Sequence, residues 1–426
     1  MRRNGVTVVR GGAIVYRTVF RNRDFILYFT SRVLSNAGTS ISGIAFLLLV
    51  FSFTHSGVQT TGVALAETIP YALFGLIGGV AADKLPKKSA LVSLDVAQGL
   101  ILIASAVLYF MNELTYPVIL AITFLVQTAG CFYNPTSRSV LPIIISAEDK
   151  APANSLIGMS RSGTQLVGPA AAYFFLHWIG YGAFFLVDGI SYLLSAVIIL
   201  MASIPQTAAQ SESKIQSVGM ISTVFKPIAE FAKFAWRAPD LRNLFVATTM
   251  VVFFNTWVWH IGLLLKAESL FHNGEQMYSL YLICFSVFSI IVSLLLPLRF
   301  KSLGISHYMF GTALWGAGIM GVGISHSAFL IAGFSVLVGA GMPIASLSRI
   351  FLLQDRVPGP IQGRGFSFSA VLLYLSNAVS LSLFGALSHL VPVPRLFDIS
   401  GIGIVLTAGV YLLLAKLPPL TRRHSV

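Results

Sequence analysis

Charge is what this chain has least of. Only 10% of its 426 residues are Asp, Glu, Lys or Arg, where a soluble domain carries roughly 25%. So few charges cannot cover a water-facing surface, which excludes an ordinary soluble globule. Acidic residues are scarcest, 15 against 28 Lys and Arg. Cysteine is nearly absent, and Cys131 and Cys284 both fall inside apolar runs. That leaves no disulfide framework and no thiol cluster for a metal. The chain lacks a Gly-rich loop ending in Lys-Ser/Thr, so ATP is not the evident energy source, and it lacks H-E-x-x-H, so an intramembrane metalloprotease is excluded. No cofactor and no metal are expected, and nothing supports an enzyme. The basic excess does not form one basic face with interleaved aromatics, so nucleic acid is not expected as a partner.

What is present is apolar sequence, 56% of the residues. Twelve runs are each long enough to cross a bilayer at about 1.5 Å per residue. They lie near 25–53, 61–82, 89–110, 117–145, 153–176, 182–204, 243–265, 277–298, 305–323, 328–352, 365–388 and 397–415. Asn134-Pro135 predicts a kink in the over-long fourth run. Residues 1–204 make one six-run bundle with a basic tail, 205–240 a linker, and 241–426 a second bundle. The linker is amphipathic from Val224 to Trp236, which predicts a helix at a membrane interface. The first 24 residues are polar and basic with no cleavable apolar core, so the first run itself directs insertion.

Basic residues crowd the loops on the amino-terminal side, among them Lys84, Lys87, Lys88, Arg299 and Arg356. The opposite loops hold only Lys266 and Arg395. This bias places both termini of a multi-pass membrane protein in the cytoplasm. Ser137-Arg138 ends the fourth run as Ser348-Arg349 ends the tenth, as expected of two parallel repeats.

Three stretches carry a resemblance. The first is Gly75–Lys88, GLIGGVAADKLPKK, where Gly79-x-x-x-Asp83-Lys84-x-x-Lys87-Lys88 resembles the loop 2–3 signature of the major facilitator superfamily, with Pro86 where that family usually has glycine. The second runs from Phe132 to Pro142, with Ala153-Asn154-Ser155-Leu156 and Gly168-Pro169 following. It resembles the subfamily of macrolide efflux proteins and the enterobactin exporter. The third is Gln354-Asp355-Arg356-Val357-Pro358 with Gly363-Arg364, similar to that subfamily's loop 10–11. The resemblance implies an all-α membrane protein with twelve transmembrane helices in two pseudo-symmetric six-helix bundles.

Charges inside the runs are the functional candidates, because a charge in hydrocarbon needs a cavity or a partner. Glu67 and Asp188 each lie roughly 9 Å from the outer end of a run, and both are candidates for proton coupling. Asp188 shares a helix face with Ser191, Tyr192 and Ser195, so it is either a titrating group or a fixed packing partner. Arg161 lies roughly 12 Å deep and either meets an anionic substrate group or pairs with a carboxylate, for which Asp95 is the candidate. Thr164 to Ala172, around Gly168-Pro169, resembles the antiporter motif of the fifth span and suggests close packing against the eighth.

An inner gate is expected from Gly79, Asp83, Lys84, Lys87, Lys88, Asp95, Arg138, Arg349 and Arg364, as charged hydrogen bonds made and broken between halves. The resemblance implies a centre lined by runs 1, 4, 7 and 10. Asn36, Thr39, Ser40, Gln127, Gln165, Asn255, Trp257 and Trp259 are its cavity candidates with Arg161, and Tyr374 and Asn377 join from the eleventh run. The expected activity is export of a small amphipathic molecule (drug, macrolide or siderophore) in exchange for protons, by a monomer in contact with membrane lipid. The alternatives are a lipid flippase or uncoupled facilitator of the same fold and, more remotely, a non-transporting membrane receptor.

Overall fold

The computed structural model describes residues 18–146, 149–205, 220–300, 302–358, 361–388 and 390–416. Among them there is no strand; nearly everything is helix. The first four helices are α1 (Arg23–Thr54), α2 (Gly57–Lys84), α3 (Lys87–Phe110) and α4 (Tyr116–Ile144). The stretch Lys150–Met201 divides at Gly180, whose φ of 72° is open to glycine and strained for other residues. It yields α5 (150–179) and α6 (181–201). Then come α7 (Met220–Arg237) and α8 (Pro239–Leu270), the latter carrying a π turn at Val258–Gly262. The last five are α9 (Gly274–Arg299), α10 (Ile305–Ile324), α11 (Ala328–Arg356), α12 (Gln362–Leu387) and α13 (Val393–Lys416).

Among the described residues, ten helices are apolar and long enough to cross a membrane. The divided Lys150–Met201 supplies an eleventh, and the glycine-rich Ile305–Ile324, 20 residues long, completes twelve. Outward-turned side chains such as Leu100, Leu194, Val197, Phe310 and Leu406 are exposed and apolar, which suits contact with lipid.

Helix packing repeats between the halves. In the first half α1 packs on α5 and α6, α2 on α4, and α3 on α4 and α6. In the second half α8 packs on α12 and α13, α9 on α11, and α10 on α11 and α13. The halves meet where α2 touches α12 and where α9 touches the α5–α6 stretch. That pattern maps onto itself when the halves are exchanged, as a two-fold axis between parallel repeats requires.

Backbone proximity at the contacts comes from small residues. A Cβ on Gly78 would stand 2.1 Å from the Cys131 carbonyl oxygen, and one on Gly339 would stand 2.3 Å from that of Phe285. These two glycines serve the matching α2–α4 and α9–α11 contacts. The Thr164–Ala172 stretch was expected to pack closely against the eighth span, and α9 does touch the α5–α6 stretch, but Gly168 itself does not serve that contact. It faces α1 instead: a Cβ there would stand 2.0 Å from the Ser40 carbonyl oxygen, and its own N–H donates to Ser40 Oγ at 3.0 Å.

The linker helix α7 docks on the second half. Phe231 is buried and meets Phe368 and Phe245 at ring-centroid distances of 5.7 and 6.2 Å. Trp236 on the same helix stays exposed. The apolar face expected at a membrane interface is thus partly spent on protein.

Candidate functional site

Near the end that carries the basic loops, a cavity of about 530 Å³ opens between α1, α2, α4, α5 and α12. The helices lining it go beyond the first and fourth runs expected there, because α2 and α12 cross at the seam between halves. Arg32, Arg138 and Arg161 all line it, and among the described residues no Asp or Glu does. Tyr28, Asn134 and Asn154 add polar edges, while Leu76, Ile157 and Val371 supply apolar wall.

The arginines differ in their surroundings. Arg138 and Arg161 are exposed to the cavity, and neither forms an ion pair among the described residues. Arg32 is half-buried, its guanidinium 5.2 Å from the centre of the Tyr133 ring, and its Nε is buried without a hydrogen-bond partner.

Asp95 is not the partner of Arg161. It is fully buried, accepts from Ser195 Oγ at 2.7 Å, and accepts from Tyr133 Oη at 3.4 Å. It therefore ties α3 to α6 and α4 inside the first half, where it cannot latch the two halves together.

The roof of the cavity is aromatic. Tyr71 of α2 and Tyr374 of α12 stack with centroids 4.9 Å apart and planes at 10°. Tyr71 also accepts from Asn134 Nδ2 at 3.1 Å. Glu67 lies one turn further from the basic end on the same face of α2. It is half-buried, and among the described residues it makes no hydrogen bond or ion pair. Its Oε1 would stand 3.8 Å from a Cβ on Gly43, so it looks toward α1.

Asp188 has a different setting. It is fully buried and accepts from the hydroxyl of Ser42 and, at 3.3 Å, from that of Ser191. A Cβ on Gly38 would stand 2.3 Å from its Oδ1. The carboxylate is sealed in the α1–α6 packing, away from any cavity wall described above. Tyr192 on the same face bonds Thr39 Oγ1 at 2.9 Å, so Thr39 and Ser40 both belong to helix packing rather than to the cavity.

A second cavity, about 230 Å³, lies within the other half between α8, α10, α11 and α12. Asn255 lines it and accepts from Trp315 Nε1 at 2.8 Å, and Asn377 accepts from Thr256. Arg349 reaches it as well and donates to Ser369 Oγ at 2.7 Å. Arg138 and Arg349, one register apart in the repeat, thus stand in separate chambers of the two halves. His260, in the π turn, also lines this space; such turns often mark functional sites.

Trp257 and Trp259 are buried in packing, the first donating to the Ser400 hydroxyl and the second lying 5.1 Å from Phe285. Of the remaining candidates, Asn36, Arg161 and Tyr374 line the basic cavity, while Gln127 and Gln165 do not.

At the basic end, the ion pairs among the described residues are Arg356 with Asp240 and Asp355, and Arg364 with Glu230. All lie within the second half and its linker helix. Gly79 lines the cavity, Lys87 donates to the Ala82 carbonyl, and Lys88 opens α3 beside it. The side chains of Asp83 and Lys84 lie outside the described residues.

Polar bonds between the halves occur at the opposite end. Tyr181 Oη donates to Glu275 Oε2 at 2.9 Å, and Gln276 Nε2 donates to the Tyr173 carbonyl at 3.5 Å. Lys266, expected in a loop there, is buried within α8 and donates to the Gly323 carbonyl. Cavities therefore lie at both ends: one of about 870 Å³ at this end, bridged by the Tyr181 and Gln276 bonds, and the 530 Å³ one at the basic end, where no hydrogen bond joins the halves among the described residues.

Comparison with known proteins agrees with this architecture. Residues 17–425 match the model of a family described as transmembrane secretion effector. Macrolide efflux protein A of Streptococcus pyogenes is 21% identical over 394 residues, covering 90% of this chain and 94% of that protein. The uncharacterized MFS-type transporter YkuC of Bacillus subtilis is 27% identical over 194 residues, or 45% of this chain and 44% of its own. Among solved structures, a POT family transporter in complex with 5-aminolevulinic acid superposes with a TM-score of 0.74 at 12% identity, covering 92% of this chain and 96% of the other. The nucleoside transporter NupG gives 0.68 at 13%, covering 92% and 99%. At such identities the structures show a shared fold.

Proposed function

The chain belongs to the transmembrane secretion effector family of major facilitator transporters, and from that premise we propose that it exports a small amphipathic molecule by alternating access in exchange for protons. The observation that carries this reading is the asymmetry of its inter-half contacts. Hydrogen bonds join the halves across the outer cavity at Tyr181–Glu275 and Gln276–Tyr173, while at the end with the basic loops a 530 Å³ cavity lies between them with no such bond among the described residues. The positive-inside bias makes that end cytoplasmic, in the inner membrane of a bacterium. Cargo enters from the cytoplasm, the outer bonds break, and the halves rock about the α2–α12 and α5–α9 contacts. The cavity volume suits a drug-sized molecule, and its mixed wall suits one with both polar and apolar parts.

Glu67 is the coupling carboxylate in this scheme. It lies beyond the Tyr71–Tyr374 roof, at the seam the rocking motion opens, and it has no fixed partner to hold it. Asp188 is a packing residue. The Arg138 and Arg349 guanidiniums stand in separate chambers while the inner side is open, and gate bonds between the halves would form only when that side closes.

A flippase would need a lateral route into the basic cavity. The large apolar groove on the lipid side, between α7, α8 and α13, shares no lining residue with it, which favours water-borne entry. Reconstitution in vesicles tests the proposal. A pH gradient imposed across the membrane should drive efflux of at least one amphipathic probe from a panel of macrolide, siderophore and aromatic organic acid, and flux indifferent to that gradient would remove proton exchange.

A further inference from the structure

Three guanidinium groups in one cavity with no carboxylate among the described lining residues make an unbalanced charge, and within a membrane protein such imbalance is costly. Asp95 partly offsets Arg32 through Tyr133, which lies under the Arg32 guanidinium and donates to the carboxylate. Nothing comparable faces Arg138 or Arg161 among the described residues. Both are directed into the open space, and Arg138 lies within electrostatic reach of Arg161 and Arg32. The guanidinium fork matches a planar or tetrahedral oxyanion in a bidentate way. Asn36, Asn134 and Asn154 supply neutral polar edges around it, and Leu76, Ile157 and Val371 an apolar wall beside it.

We infer that the cavity binds the oxyanion of an amphipathic organic acid, a carboxylate or phosphate held by Arg138 and Arg161 with its apolar body against Leu76, Ile157 and Val371. Arg32 lines the same cavity and adds its charge from the side. The inference rests on the export reading for its physiological sense and names the charge class of the cargo. A simple monocation is disfavoured, since it would bring like charge against three guanidiniums.

The test is titration calorimetry on the full chain in detergent with three probes sharing one ring system: 1-naphthoate, 1-naphthyl phosphate and 1-naphthylmethylamine. The two acids should bind, more weakly as salt is raised, and the amine should not. Arg138→Gln and Arg161→Gln should each weaken the acids roughly tenfold or more, the size of a lost charged hydrogen bond. Both side chains face open space, so the variants should fold, and an unchanged melting temperature checks this. Arg299→Gln, exposed at the same end outside the cavity, controls for bulk charge and should leave the affinity unchanged.

Amine binding as tight as the acids, or acid binding indifferent to both cavity variants, would overturn the assignment. So would phosphatidylglycerol in the micelle binding in place of the naphthyl acids, since that marks a lipid-headgroup site. These readouts are independent of transport. Acids that bind but do not cross in vesicles leave the site standing and sink the export reading. Amines that cross without competing with the acids leave export standing and sink the site.

Discussion

Tyr71 and Tyr374 lie face to face across the seam between the two halves, with planes 10° apart and centroids at 4.9 Å. Everything on the basic side of that pair is open cavity lined by arginine, and one turn beyond it is Glu67. The stack therefore separates the proposed cargo cavity from the proposed coupling carboxylate. Tyr71 is fixed by the Asn134 side chain, so the roof is braced from the first half and completed by the second.

Removing the second half of the roof should open a leak between the two compartments. In vesicles, Tyr374→Ala should dissipate a pH gradient faster than the parent protein and lower coupled efflux. Tyr374→Phe keeps the ring and should restore both. An aromatic pair contributes about 0.5–1.5 kcal/mol beyond its area, so the alanine variant should still fold. Unchanged gradient decay in Tyr374→Ala would show that the stack is not the barrier.

The two acidic candidates should separate cleanly on substitution. Glu67→Gln should abolish efflux driven by a pH gradient while leaving probe exchange down a concentration gradient intact. Asp188→Asn should act on stability, because the carboxylate is the acceptor for Ser42 and Ser191. Disturbing a buried hydrogen-bonded group costs about 1–3 kcal/mol, visible as a lower melting temperature. The folded fraction should remain proton-coupled. Full coupling in Glu67→Gln would move the proton site elsewhere.

This separation also marks what the sequence could and could not tell. Glu67 and Asp188 are the same kind of observation in one dimension, an acid some two turns into an apolar run, and only the neighbours distinguish them. Ser42 and Gly38, which seal Asp188, come from a helix almost 150 residues away. The spans were legible because hydrocarbon demands length and apolarity, and so was a break between the runs ending near 176 and starting near 182, whereas Gly180 as its pivot is read from the backbone. The arginine cavity was half legible. Arg161 stood out by depth, whereas Arg138 read as gate and Asn134 as a kink, since which helices share a cavity depends on crossings that periodicity does not encode. His260 escaped because a π turn has no sequence signal of its own.

Glycine substitutions should sort by what their Cβ would meet. Gly168→Ala places a methyl group 2.0 Å from the Ser40 carbonyl oxygen, a backbone atom that can yield only if α1 and α5 move apart. Expression and melting temperature should fall by an amount typical of core overpacking, about 1–3 kcal/mol. Gly163→Ala, on the same helix with nothing within 4 Å, should be neutral or slightly stabilising, since alanine is the better helix former. A neutral Gly168→Ala would contradict the α1–α5 contact.

The outer closure should be weakened by one atom. Tyr181→Phe removes the hydroxyl that donates to Glu275 and leaves the ring in place among Tyr109 and its neighbours. A hydrogen bond to a charged group contributes about 1.5–3 kcal/mol when well buried, and less at a wet membrane surface. A several-fold shift toward the outward-open form is therefore expected. Spin labels on the outer ends of α5 and α9 should report it as a longer distance population by pulsed electron resonance, with the inner ends of α4 and α11 drawing together in the same molecules. Because only the closed-outside state makes this bond, the variant should release cargo to the outside more readily and rebind it from the cytoplasm more weakly. A distance distribution identical to that of the parent protein would show that the α5–α9 seam is held shut by apolar packing, with the Tyr181–Glu275 bond incidental to it.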